Sequence, residues 1–259
     1  MRCLDVAAFL AVCMMMCAGC AHQRIAPGPD VKPGTLLSRT VLVSTPDGPL
    51  ESRFAVWVPR GYDERKEWPC VVFLHGKGEC GTDGTRQTTV GLFPAAKADE
   101  AQWPCVIVMP QKPHPDRQWS EYDELVMATL EATRREVNVD SGRISLTGLS
   151  QGGHGAWVIG ARHANHWSCV APVCGYGDPR EVVEGIVGVP VWAFHGDDDR
   201  VVPVTQTTAM VSALRETWER TGRRGPEPRV TIYPGVNHNS WDEAYREEKL
   251  GEWMLSQRR

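Results

Sequence analysis

The sequence predicts an α/β fold: a mostly parallel, doubly wound sheet preceded by an antiparallel hairpin. Three observations predict it. Short apolar runs of strand length alternate with runs whose apolar residues recur at helical spacing. Two of the strand-like runs, Cys70–Gly76 and Cys105–Gln111, are almost continuously apolar, as strands covered on both faces must be. A glycine-rich turn, residues 148–153, then joins a β-like run directly to a helix-compatible one.

The elements follow in order. Residues 40–44 and 52–59, around the turn-rich stretch 45–51, predict the hairpin. Residues 70–76 and 105–111 are the next two strands. Residues 120–137 carry Leu125, Met127, Ala128, Leu130 and Val137 at helical spacing, and Ser120 three residues before Asp123 suggests a cap. Strand 143–148 and helix 150–164 come next, followed by strand 169–175 and a short helix 179–186. Strand 189–196, the long helix 204–220 and strand 229–235 complete the alternation. The last helix, 240–257, opens on Ser240 and Glu243 in a capping-box pattern.

Residues 1–37 stand apart. An early Arg2 and the apolar run from Val6 to Ala18 fit a signal peptide and are too short to span a bilayer. Ala18-Gly19-Cys20 resembles a bacterial lipobox, which implies a signal peptide over residues 1–19 and lipidation at Cys20. Simple cleavage is the alternative. Either route implies export, to the cell envelope when lipidated and otherwise to the periplasm or the medium. Residues 20–37, rich in Pro and Gly, read as a tether, and residues 38–259 as one catalytic domain.

Composition narrows the classes. A formal net charge of −4 offers no basic surface for nucleic acid, and leaves a lipid anchor at Cys20 as the only expected membrane contact. Ten tryptophans exceed expectation, and some can line a pocket. Five cysteines lie beyond the leader: Cys70, Cys80, Cys105, Cys169 and Cys174. No C-x-x-C spacing suggests zinc, and no metal or cofactor is expected. Cys70 and Cys105 occupy matching strand starts, where two buried small side chains are expected and a disulfide is the alternative. Cys169 and Cys174 leave the same question open, and nothing sets the oligomeric state.

Chemistry concentrates at Ser150. A serine between glycines, at a sharp strand-to-helix turn, is lifted clear of the sheet where a substrate reaches it. Its hydroxyl needs a base. His238, in the loop after the last strand and before the last helix, lies at a strand's carboxyl end, as Ser150 does. His154 is expected to flank the site as a candidate substrate contact, and His75 and His195, each ending a strand before Gly, to tie down loop backbone. An acid must hold the base. Asp197, Asp198 and Asp199 follow the penultimate strand, in the chain order Ser, Asp, His. The oxyanion donors expected are the backbone N–H groups of Gln151 and Lys77.

These blocks together, Phe73–Gly84, Ile144–Trp157, Ala171–Asp178, Phe194–Pro203 and Tyr233–Tyr245, resemble the α/β-hydrolases of the phospholipase/carboxylesterase-like group, which includes predicted peptidases, feruloyl esterases and polyhydroxybutyrate-depolymerase-like esterases. The resemblance runs from about Phe54 to the C-terminus. It implies an α/β-hydrolase fold and a triad of Ser150, Asp199 and His238. Gln151 and His154 stand where many relatives have Met and Tyr. The short segment between the sixth and seventh strand-like runs leaves no room for a large lid, so an open groove is expected. Such a groove suits a short acyl or aryl ester on a bulky or polysaccharide alcohol, with Trp119 a candidate to stack on a ring. The expectation is a serine esterase. A serine peptidase of the same fold, a metal-dependent hydrolase and a non-catalytic lipid-anchored binding protein are the competing readings.

Overall fold

In the computed structural model of the chain, residues 30–45, 48–223, 225–246 and 248–259 are described. The leader and most of the tether, including Cys20, lie outside them. Among the described residues, one sheet holds eight strands: β1 Thr35–Thr45, β2 Gly48–Val58, β3 Trp68–Leu74, β4 Val106–Pro110, β5 Val139–Leu149, β6 Cys169–Val173, β7 Trp192–Gly196 and β8 Arg229–Tyr233. Their order is β1-β2-β4-β3-β5-β6-β7-β8. The first two pairings are antiparallel and all later ones parallel. This is the predicted doubly wound sheet with its N-terminal hairpin. β1 starts at Thr35, earlier than expected, because Leu37 is buried opposite Val56 and holds the strand down.

Among the described residues, seven α-helices cover the two faces: α1 Leu92–Ala98, α2 Asp123–Arg134, α3 Gln151–Arg162, α4 Pro179–Ile186, α5 Thr205–Arg220, α6 Trp241–Arg246 and α7 Glu248–Ser256. One core cluster packs α2, α3, α4 and α5 on the sheet through Leu125, Trp157, Val182 and Met210. The other packs α1, α6 and α7 on the opposite face through Leu92, Tyr245 and Met254. The central strands are therefore buried on both sides, which is why they read as unbroken apolar runs.

Three local expectations change. α1 was not anticipated; its seven residues include a proline and are too few to show a helical period. Ser120 does not cap α2, because it lies in a 3-10 turn, Trp119–Glu121, in which the Glu121 carboxylate accepts the Gln118 N–H. Ser240 precedes α6, but its fully buried hydroxyl has no hydrogen-bond partner among the described residues, so it closes no capping box. The β6–β7 connection holds only α4, as expected of a chain without a large lid.

The five cysteines among the described residues are free. β3 and β4 are indeed neighbours, but Cys70 pairs with Val106, one residue beyond Cys105. A one-residue offset sends the two side chains to opposite faces of the sheet, and they belong to different core clusters.

Candidate active site

Ser150 ends β5 and precedes α3 with φ 55° and ψ −115°, a conformation that a residue with a side chain adopts only under constraint. The constraint is visible. The Ser150 N–H donates to Val173 O at 2.9 Å, and the Ser150 carbonyl accepts from His154 N–H at 3.0 Å. Strand and helix cross so closely that a Cβ on Gly148 would lie 2.3 Å from Gly152 O, and one on Gly152 would lie 2.0 Å from Leu74 O. Only hydrogen fits at either position. The glycines of the motif are thus explained by contact.

The turn presents the Ser150 hydroxyl to His238, whose Nε2 lies 2.9 Å from Oγ. His238 Nδ1 lies 2.7 Å from Asp199 Oδ2. A carboxylate opposite Nδ1 fixes the proton there, so Nε2 offers its lone pair to the serine. Three residues separated by up to 88 positions meet at the carboxyl ends of β5, β7 and β8. Of the three aspartates after β7, only Asp199, the one the resemblance implies, faces the histidine. Asp198 pairs with Arg200, and Asp197 accepts the Gly235 N–H at 2.6 Å.

Asp199 is buried, which alone would raise its pKa. Hydrogen bonds from His238, Val202 N–H and Val201 N–H outweigh that penalty and hold the carboxyl below its usual range. A further partner is His195, with Nε2 3.1 Å from Asp199 Oδ2 and 2.9 Å from Val202 O. Two acceptors at Nε2 place the proton on that nitrogen, and Nδ1 then accepts from the Thr207 hydroxyl at 2.7 Å. Burial lowers the His195 pKa and keeps the ring neutral.

The strand-end loops form the rest of the wall. His75 is buried, donates through Nδ1 to Gly76 O at 2.6 Å and accepts the Lys112 N–H at 3.2 Å. Burial holds its pKa down at about 3. A Cβ on Gly76 would sit 3.7 Å from Ser150 Cβ, so the backbone leading into Lys77 runs beside Ser150. The Lys77 side chain points out to Asp116 at 2.9 Å. Gln151 opens α3, where a main-chain N–H has no partner within the helix. Its side chain donates to Pro115 O at 3.0 Å.

Two residues offered as substrate contacts have different places. Trp119 is fully buried, its Nε1 donating to His75 O at 2.9 Å and its ring edge-on to His75. It has no open face for a substrate ring, so the stacking role is withdrawn. His154 is partly buried, donates through Nδ1 to Tyr176 O at 3.1 Å and stacks on the Tyr176 ring at 4.9 Å. Sequence reasoning missed Tyr176 and Trp241. The Tyr176 hydroxyl donates to Gln118 at 2.9 Å, and the Trp241 ring stands edge-on to His238 at 5.5 Å. Nothing in either residue's local sequence signals that position. No group of three or more potential metal ligands occurs among the described residues.

The Esterase family model matches residues 49–243. Among solved structures, a thermostable esterase is 31% identical with a TM-score of 0.72, over 86% of this chain. This chain spans 63% of that one. A ferulic acid esterase from the anaerobic fungus Anaeromyces mucronatus is 18% identical with a TM-score of 0.63, over 92% of this chain and 96% of that one. The acylaminoacyl peptidase of Pyrococcus horikoshii is 18% identical with a TM-score of 0.60, over 85% of this chain and 41% of that one. No curated protein matches. The match over most of the chain, on a sheet of this order, means that the protein belongs to the esterase family of α/β-hydrolases.

Proposed function

We propose that this protein is a serine carboxylic-ester hydrolase acting through Ser150, His238 and Asp199. The observation that carries the reading is His238 bridging Ser150 Oγ at 2.9 Å and Asp199 at 2.7 Å. His238 Nε2 takes the Ser150 proton as Oγ attacks the ester carbonyl, and the ionised Asp199 stabilises the imidazolium that forms. The N–H groups of Gln151 and Lys77 hold the oxyanion. His238 returns the proton to the departing alcohol, leaving an acyl-serine. Water, activated by the same imidazole, then releases the acid.

The substrate we infer is a short acyl or aryl ester of a bulky or polysaccharide alcohol. Support comes from the absence of a large insertion between β6 and β7, and from similar folds described with ferulic acid and sinapinate. The test is hydrolysis of 4-nitrophenyl acetate by the wild type and by Ser150→Ala, beside acetyl, feruloyl, long-chain and peptide substrates. Equal rates for the two proteins would remove Ser150 from the mechanism. Faster cleavage of peptides than of esters would favour the peptidase reading. We further infer export with lipidation at Cys20. Metabolic labelling with a fatty acid, abolished in Cys20→Ser, is the expected result.

A further inference from the structure

A cleft of about 580 Å³ lies beside Ser150 rather than over it, lined by Glu51, Arg53, Gly81, Thr82, Asp83 and Arg86. It occupies the same rim of the sheet. Phe54 pairs with Pro110 on β4, Val72 with Val108, and Leu74 with Gly148. Arg53 is therefore level with Leu149, one residue short of the serine. Two strands, β4 and β3, intervene. At the usual strand spacing the cleft lies about 14 Å from the nucleophile.

The cleft is built before any ligand arrives. Gln111 ties its loop from beneath, accepting the Gly84 N–H at 2.7 Å and donating to Glu79 O at 3.0 Å. Asp83 Oδ1 accepts from Thr85 N–H, the Thr85 hydroxyl and Arg86 N–H. Gly84, at φ +74°, lets the loop lie against β2, where a Cβ would meet Arg53 Cβ at 2.8 Å. A rigid wall loses little entropy on binding. Glu51 and Arg53 are a different matter. They project from the same face of β2, both are exposed, and neither has an ion pair or side-chain hydrogen bond among the described residues.

We propose that this cleft binds a neutral saccharide portion of the alcohol half of the substrate. Two guanidinium groups and two carboxylates cancel in formal charge, so neither an anion nor a cation is favoured. No apolar side chain lines the cleft, which disfavours an acyl or aryl tail. What remains on offer is a free donor array at Arg53 beside a free acceptor at Glu51. Vicinal hydroxyls, which donate and accept together, match that pair. The separation from Ser150 requires a chain of several sugar units, not one.

This inference rests on the ester-hydrolase reading, and its test keeps the two apart. Acyl esters on neutral linear oligosaccharides of increasing length are compared with 4-nitrophenyl acetate. The wild type should gain in kcat/KM as the glycan reaches the cleft, through KM. Arg53→Ala and Glu51→Gln should each erase roughly 3- to 10-fold of that gain and leave 4-nitrophenyl acetate unchanged. No gain with length, an undiminished gain in both variants, or an equal loss on the small ester would overturn the proposal. Should the wild type cleave none of the esters, the catalytic reading fails and binding decides the cleft. Unesterified oligosaccharide titrated into Ser150→Ala should then bind more tightly than to the Ser150→Ala, Arg53→Ala double variant. Absence of binding, or equal binding, overturns it.

Discussion

His195 and His238 share one oxygen of Asp199. His195 Nε2 lies 3.1 Å from the same Asp199 Oδ2 that receives His238 Nδ1. Asp199 is thus fixed from behind by a second imidazole, which the Thr207 hydroxyl orients in turn. His195→Leu should remove one of the four hydrogen bonds to Asp199 and leave Val202 O with a lost partner. Expected are a fall in kcat of about 5- to 10-fold with little change in KM, and a stability loss of about 1–3 kcal/mol. Steady-state kinetics and denaturant unfolding measure the two separately.

Asp199→Asn keeps the shape of the site but not the charge. An amide opposite Nδ1 can hold the imidazole in the wrong tautomer and cannot stabilise imidazolium. A fall in kcat of about 10⁴-fold is expected for ester hydrolysis, with stability changed far less than activity. A loss of only a few-fold would mean that another carboxylate serves.

Gly152→Ala tests the packing of the turn. Its new methyl would sit 2.0 Å from Leu74 O, a backbone atom that cannot swing aside. A destabilisation of about 1–3 kcal/mol or more is expected, with Ser150 displaced and labelling by a fluorophosphonate slowed. Gly78, whose added Cβ would meet nothing within 4 Å, is the control position.

Acid should weaken the fold through His75. Its folded pKa is about 3 against an ordinary 6.5, because burial opposes the charge. Between these values the unfolded chain binds the proton and the folded chain does not. The contribution is whole above about pH 6.5 and is lost as pH falls toward 3. The slope is at most about 1.4 kcal/mol per pH unit for each such group. His195, shifted the same way by burial, adds to it. Urea midpoints from pH 7 to pH 4 should decline, and His75→Asn should flatten the decline.

The core thiols should be silent in the native protein. Burial pushes Cys70 and Cys169 up to about 12, and Cys105 also well upward. Iodoacetamide should leave all three unmodified until denaturant is added, and then modify them without a reductant. A requirement for reductant would point to a disulfide.

The sequence by itself determined the alternation of strands and helices along the chain, the turn that carries Ser150 and the succession of Ser150, the aspartate run and His238. These are local or periodic signals: glycines where backbones touch, apolar runs where a strand is buried on both faces, polar loops at strand ends. It did not reveal α1, whose seven residues are too few to display a period, nor that Trp119 turns inward to His75 O. It also could not show that one residue of register parts Cys70 from Cys105. Tyr176 on His154, Trp241 on His238 and His195 behind Asp199 were likewise decided only in the tertiary structure. A side chain's neighbours across a sheet depend on strand order and register, which are set by the packing of the whole chain. Composition and spacing carry no record of them.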